Sequence, residues 1–203
     1  MKPNSRKLVK EQSLEAFFAE HAGILRARTL TEAGLTYYTL RKLLQTGRIT
    51  RIKRGVYRWN EGNSTEMAVV KTILPTGVLC LQSAALLHDY TTGLPLQYHV
   101  AVHKKSKHTL PEKPRIKLYY WQKSQLELGI STVQYHGSEV RVYDREKTVC
   151  DYLKFRSKLE TGAVKEVLHA YLSDPLRNLA RLKQYAVRLR ISTVLDRYLE
   201  TIL

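Results

Sequence analysis

The sequence predicts an α+β fold in two parts, a small helical unit closed by a hairpin and a larger α/β region that ends in helices. Three observations predict it. Apolar residues recur at helical spacing up to Gly47 and at strand spacing directly after it. The middle of the chain alternates apolar and polar residues, and from Asp144 the period is helical to the end. With 203 residues, 43% of them hydrophobic and 26% charged, the chain can bury a real core, which excludes a disordered or fibrous protein.

The first part follows from its punctuation. Leu14, Phe17, Phe18 and His21 share a helical face, with Ser13 as N-cap and Gly23 as the stop. Thr29 to Ala33 make a short second helix closed by Gly34. Thr36 caps a third, YYTLRKLLQT, that stops at Gly47. Leu40, Leu43 and Leu44 form its apolar face, flanked by Tyr37, while Tyr38, Lys42 and Gln45 point away with Arg41 at the margin. ITRIKRGVYRW then reads as a hairpin turning at Arg54-Gly55, with Ile52 and Val56 inward and Arg51, Lys53 and Arg58 outward.

Charge singles out this part. Lys and Arg number 34 against 18 Asp and Glu, a net of +16. Residues 1–62 hold 13 of the cations and 5 of the acids, and nine cations fall between Arg26 and Arg58 against Glu32 alone. Three short helices and a basic hairpin are the plan of a winged helix-turn-helix. Such a third helix can enter the major groove of double-stranded DNA while the hairpin lays cations along phosphates. Thr36, Tyr38 and Thr39, at its start, are placed to reach base edges. Five or six phosphate contacts are expected from helix and wing. A solvated basic domain that docks an acidic protein is the competing reading; agreement of wing, helix face and charge favours DNA.

The Glu61-to-Ser64 break divides the chain into a DNA-binding domain, 1–62, and a second domain, 63–203, mixed α/β over 63–143 and helical over 144–203. Ser64 is expected to cap a helix running to about Leu74, and a second helix starts near Ser83. YHVAVH, RIKLYYW, TVQYHG and EVRVY alternate as strands, and four helices follow from REKTVCDYLKFR to ISTVLDRYLETI.

Several chemistries can be weighed and set aside. Cys80 and Cys150 lack the spacing of a disulfide framework or a zinc site. His99 and His103 share a strand face, and His88 precedes Asp89, but no further ligands converge on them, so no metal or other cofactor is expected. Asp144, Glu146 and Lys147 resemble a nuclease cluster. Helix initiation explains them better: Asp144 as N-cap, Glu146 in the first turn, and Lys147 with Asp151 as a surface ion pair at i, i+4. With no phosphate loop, nucleophile elbow or HExxH motif, the chain is not read as an enzyme. The basic N-terminus lacks the apolar stretch of a secretory signal and no run approaches the length of a membrane span, so a cytoplasmic protein without membrane association is expected.

The run GILRARTLTEAGLTYYTLRKLLQTGRITRIKRGVYRW resembles the N-terminal segment of the AbiEi antitoxins of bacterial abortive-infection toxin–antitoxin systems. SAALLHDYTTGLP, VYDREKTVCDYLKFR and AVKEVLHAYL extend the resemblance in order along nearly the whole chain. It implies an autorepressor that binds inverted repeats in its own promoter and counters a co-encoded nucleotidyltransferase-like toxin, by direct contact or indirectly. By position, Tyr38, Arg41, Lys42 and Gln45 become recognition-helix contacts, and Arg48, Arg51, Lys53, Arg54 and Arg58 wing and phosphate contacts. The Tyr37-Tyr38 pair departs from the Ser- or Arg-rich opening expected there. A basic helical face of Lys154, Lys158, Lys165, Arg181 and Arg188 is offered as the antitoxin surface. Without a heptad seam, a monomer in solution is expected. The alternative is a winged-helix transcription factor whose second domain senses a small molecule.

Overall fold

The computed structural model describes residues 11–93, 95–135 and 138–202, and shows a mixed α+β chain in two compact units. The first unit holds α1 (Glu11–Glu20), β1 (Ile24–Arg26), α2 (Ala27–Glu32), α3 (Tyr37–Gln45), β2 (Ile49–Lys53), β3 (Val56–Trp59) and α4 (Glu66–Ile73). Three helices and a hairpin therefore follow one another as the sequence predicts, with one strand the periodicity did not reveal. β1 is too short to show alternation. It pairs antiparallel with β3, which also pairs with β2, giving the sheet order β1-β3-β2. Leu14, Phe18, Leu25, Leu30, Leu43, Ile49, Tyr57 and Trp59 form one buried cluster between the helices and the sheet. Ser13 lies inside α1 rather than at its cap, and Thr65, not Ser64, caps α4 by accepting from the Ala68 amide.

The compact boundary lies after Pro75, not after Gly62, and residues His108–Pro114 also belong to the first unit. The reason is α4. Its Met67, Val70 and Ile73 are buried, and Arg26 of β1 donates to the carbonyls of Thr72, at 2.6 and 2.9 Å, and of Ile73. A cation on those terminal carbonyls also suits the negative end of the helix dipole. A polar, Gly-containing stretch is thus a loop inside one unit.

The second unit holds β4 (Val78–Leu79), α5 (Leu81–Leu87), β5 (Tyr98–His103), β6 (Ile116–Trp121), α6 (Lys123–Leu126), β7 (Ile130–Tyr135) and β8 (Ser138–Tyr143). α7 (Arg145–Phe155), a 3-10 turn (Arg156–Lys158), α8 (Ala163–Ser173), α9 (Leu179–Leu189) and α10 (Ser192–Ile202) follow. Its sheet runs β6-β5-β4-β8-β7, with β5–β6 and β4–β8 parallel and the other pairs antiparallel. The expected β7–β8 turn, at 136–137, lies outside the described residues. Helix α7 is the centre of this unit: every residue from Glu146 to Leu153 is buried, packed by α5, α8 and α9.

That burial changes the reading of the acidic cluster. Asp144 is the N-cap, accepting from the Lys147 amide at 2.8 Å and from Tyr185 Oη at 3.0 Å. Lys147 and Asp151, expected as a surface pair, are each 1% exposed with Nζ and Oδ1 2.5 Å apart. The Lys147 ammonium also lies 4.0 Å from the ring centres of both Trp121 and Tyr143. Glu146 is buried too, accepting from Tyr171 Oη and the Asn178 amide. Gly129 permits the close approach: a Cβ there would sit 2.7 Å from Lys147 Cβ, and its φ is +69°. Burial dominates at Asp151 and lifts its carboxyl to about 6 against the pull of Lys147. The helical spacing of the pair is right, but its burial needs Trp121, which comes from the distant strand β6.

Candidate nucleic-acid interface

Helix α3 starts where Thr36 caps it. Thr36 Oγ1 accepts from the Thr39 amide at 3.2 Å and bonds the Thr39 hydroxyl at 3.0 Å, so both side chains shape the helix start. Leu43 is buried, and Leu40 and Leu44 pack on the same cluster. Opposite them, Tyr38, Arg41, Lys42 and Gln45 are exposed, and among the described residues none has a side-chain partner. Tyr37, expected to flank the core, is instead 80% exposed, and Tyr38 is 77% exposed. Two aromatic rings therefore stand in solvent at the helix start.

The hairpin distributes its cations differently from the simple alternation. Gly55, at φ +76°, makes the turn that leaves Arg54 exposed. Arg51 pairs with Tyr57 and shares its sheet face, the helical side. A bulge between Arg51 and Lys53 then shifts the register and places Lys53 opposite Val56. There Lys53 Nζ donates to the Thr109 carbonyl at 2.6 Å. Burial, then Arg26, lowers its pKa. Arg58, on the Val56 face, lines a cleft of 510 Å³ with Thr50, Glu66 and Glu112. Ile52 also lines that cleft, so the residues expected to point into the helical core serve the opposite face; Ile49, Tyr57 and Trp59 fill that core instead. Arg48 is held by Glu61, whose two oxygens lie 2.9 and 3.0 Å from Nη1, and its guanidinium stands 5.3 Å from the Trp59 ring centre.

Of the nine cations between Arg26 and Arg58, four are thus turned inward or matched. Arg26 takes α4 carbonyls, Arg28 pairs with Glu32, Arg48 with Glu61, and Lys53 with Thr109. Arg58 is exposed on the sheet face away from the helices, where it lines the cleft without an ion pair among the described residues. Arg41, Lys42, Arg51 and Arg54 are exposed without a side-chain partner among the described residues, on α3, on the helical face of the hairpin or at its turn.

The five second-unit cations do not form one stripe. Lys154 and Lys158 line a cleft beside β6, Arg188 lines another with Tyr185 and Gly129, and Arg181 reaches Glu146 at 3.6 Å. Lys165 is exposed on α8. The histidines are apart in role as well. His99 is buried with Nδ1 3.0 Å from Tyr119 Oη, and His103 accepts from the Lys105 amide. No group of three His, Cys, Asp or Glu among the described residues could hold a metal ion.

With this geometry in place, residues 12–59, the span from α1 to the end of β3, match a family model described as a transcriptional regulator, AbiEi antitoxin. Over that span the chain is AbiEi-like. The match covers α1 to α3, the hairpin, and Arg41, Lys42, Arg51 and Arg54. No curated protein matches the chain. Its fold is similar to the crystal structure of the RV2827C protein from Mycobacterium tuberculosis. The TM-score is 0.62 at 12% identity, covering 91% of this chain and 75% of that one. No helix among the described residues is long and apolar enough to cross a membrane.

Proposed function

We infer that the chain is a DNA-binding autorepressor and antitoxin, in which α3 reads repeats in the promoter of its own operon and the wing holds phosphates. The observation that carries this reading is the placement of Arg41, Lys42, Arg51 and Arg54, cations without internal partners, on α3 and the hairpin alone within that segment. Tyr38, Lys42 and Gln45 face the bases; Arg51 and Arg54 meet the backbone. The match to a regulator and antitoxin family supports the same assignment.

The second activity, opposition to a co-encoded nucleotidyltransferase-like toxin, belongs to the second compact unit. Helix α9 is its best-suited surface. Leu179, Lys183 and Val187 follow at i, i+4 and i+8, and Leu179 and Val187 are among the exposed large apolar residues, with Arg188 alongside. Apolar residues bordered by cations fit an acidic partner with an apolar centre. The test uses the full chain. Lys42→Ala with Gln45→Ala should release a promoter reporter yet still protect cells from the toxin, whereas Val187→Glu with Arg188→Glu should do the reverse. Loss of both activities by the α3 variant, with the protein still folded, overturns the division of roles.

A further inference from the structure

The second unit carries a cleft that neither DNA reading nor the α9 surface uses. It has a volume of 450 Å³ and lies along the edge strand β6, the end of α7 and the 3-10 turn after it. Three lysines line it, Lys117, Lys154 and Lys158, and none of its described lining residues is a carboxylate. Four cations of the unit pair with acids: Lys123 with Glu127, Arg145 with Asp174, Lys147 with Asp151, and Arg181 with Glu146. Lys117, Lys154 and Lys158 make no ion pair among the described residues. Lys154 is half-buried, and burial, then Lys147, lowers its pKa against the pull of Asp151, so this ammonium is partly dehydrated and the acid that acts on it is already paired with Lys147.

The walls between the lysines are aromatic. Tyr119, Trp121 and Phe155 line the cleft, with Trp121 and Phe155 nearly parallel at 6.3 Å and Tyr119 edge-on to Phe155 at 5.3 Å. Their positions are fixed from behind, Trp121 by the Lys147 ammonium and the Tyr143 ring, Tyr119 by His99. Three cations without ion pairs beside rings fixed in place suit a ligand with a flat apolar part and a multiply charged anionic part, the Lys117 ammonium already lying 5.8 Å from the Tyr119 ring centre. The volume admits a single small ligand and is too small for a folded element.

We propose that this cleft binds a nucleotide, its base against the Tyr119, Trp121 and Phe155 wall and its phosphates on Lys117, Lys154 and Lys158. The same chemistry is offered by a free nucleoside polyphosphate and by the terminal nucleotide of a single strand.

Calorimetric titration of the full chain with ATP, adenosine and pyrophosphate tests it. One ATP per chain is expected, at least about tenfold tighter than either part alone, because base and phosphates act together. Lys154→Met and Lys158→Met should each weaken ATP at least about fivefold without changing the circular dichroism spectrum. Arg51→Ala with Arg54→Ala should leave ATP binding unchanged. Hexa-adenylate binding more tightly than ATP, with the same dependence on Lys154, assigns the site to strand ends; the reverse order assigns it to free nucleotides. The proposal is overturned if ATP fails to saturate or binds no better than pyrophosphate. It is also overturned if the lysine variants bind ATP normally, or if hexa-glutamate competes as well as ATP does.

Discussion

Raising salt should weaken DNA binding by an amount set by the cations left for phosphates. The expectation from the sequence was five or six phosphate contacts, a log–log slope near about −5 at roughly −0.9 per contact. In the structure Arg48 is neutralised by Glu61, Lys53 is committed to Thr109, and Arg58 lies on the sheet face away from the helices. With Lys42 on the bases, Arg41, Arg51 and Arg54 are left for the backbone, giving a slope of about −2.7. Tripling the salt from about 0.1 to 0.3 M should then lower affinity about 20-fold, against about 240-fold for the steeper slope. Removing Arg51 and Arg54 together should cut the slope to about a third and leave about a threefold loss over the same range. Fluorescence anisotropy of a labelled promoter duplex at five or more salt concentrations measures this. A slope of about −5 would mean that cations among Arg48, Lys53 and Arg58 bind DNA as well. A slope near zero would refute the interface.

Three further outcomes follow from particular contacts. Lys42→Ala should cost about 1–3 kcal/mol on the promoter and little on random DNA, whereas Arg54→Ala should weaken both alike; parallel titrations separate them, and equal losses would mean that α3 positions without specifying. Lys147→Met should destabilise the second unit by about 3–5 kcal/mol by stranding the buried Asp151, and adding Asp151→Leu should recover much of that in urea unfolding; a double variant as unstable as the single one contradicts this. Burial, then Lys117, lowers the pKa of His99 from 6.5 to about 4, so the folded protein binds its proton later than the unfolded chain does. This contribution is complete above about pH 6.5 and is lost as pH falls toward 4, by no more than about 3 kcal/mol. His99→Gln should flatten that part of the stability–pH curve, and an unchanged curve would exclude His99 as its source.

What could be read from the sequence was local. The Thr36 cap, the Leu40, Leu43 and Leu44 face and the Gly55 turn each follow from residues within one turn of each other, and the structure keeps all three. The sorting of hairpin cations failed because one extra residue in β2 reverses the alternation after Arg51, and no composition signal marks that bulge. The Lys147–Asp151 pair shows the same limit. Its spacing is visible, but its burial depends on Trp121 and Tyr143, which arrive from two other strands. Likewise the boundary at Gly62 is a sound reading of a polar loop, while the hold of Arg26 on Thr72, forty-six residues away, has no local signature. The β6 cleft escaped notice for this reason too, since its lysines lie on separate elements.

The most direct measurement compares promoter affinity at fixed salt for the wild type, Lys42→Ala with Gln45→Ala, and Arg58→Ala, each checked for an unchanged melting curve. The α3 variant should lose at least about tenfold, and Arg58→Ala should bind within about twofold of the wild type, because α3 turns an unpartnered face to the groove whereas Arg58 lies on the sheet face away from the helices. An Arg58→Ala loss as large as that of the α3 variant, or an α3 variant that binds like the wild type, would contradict recognition through α3.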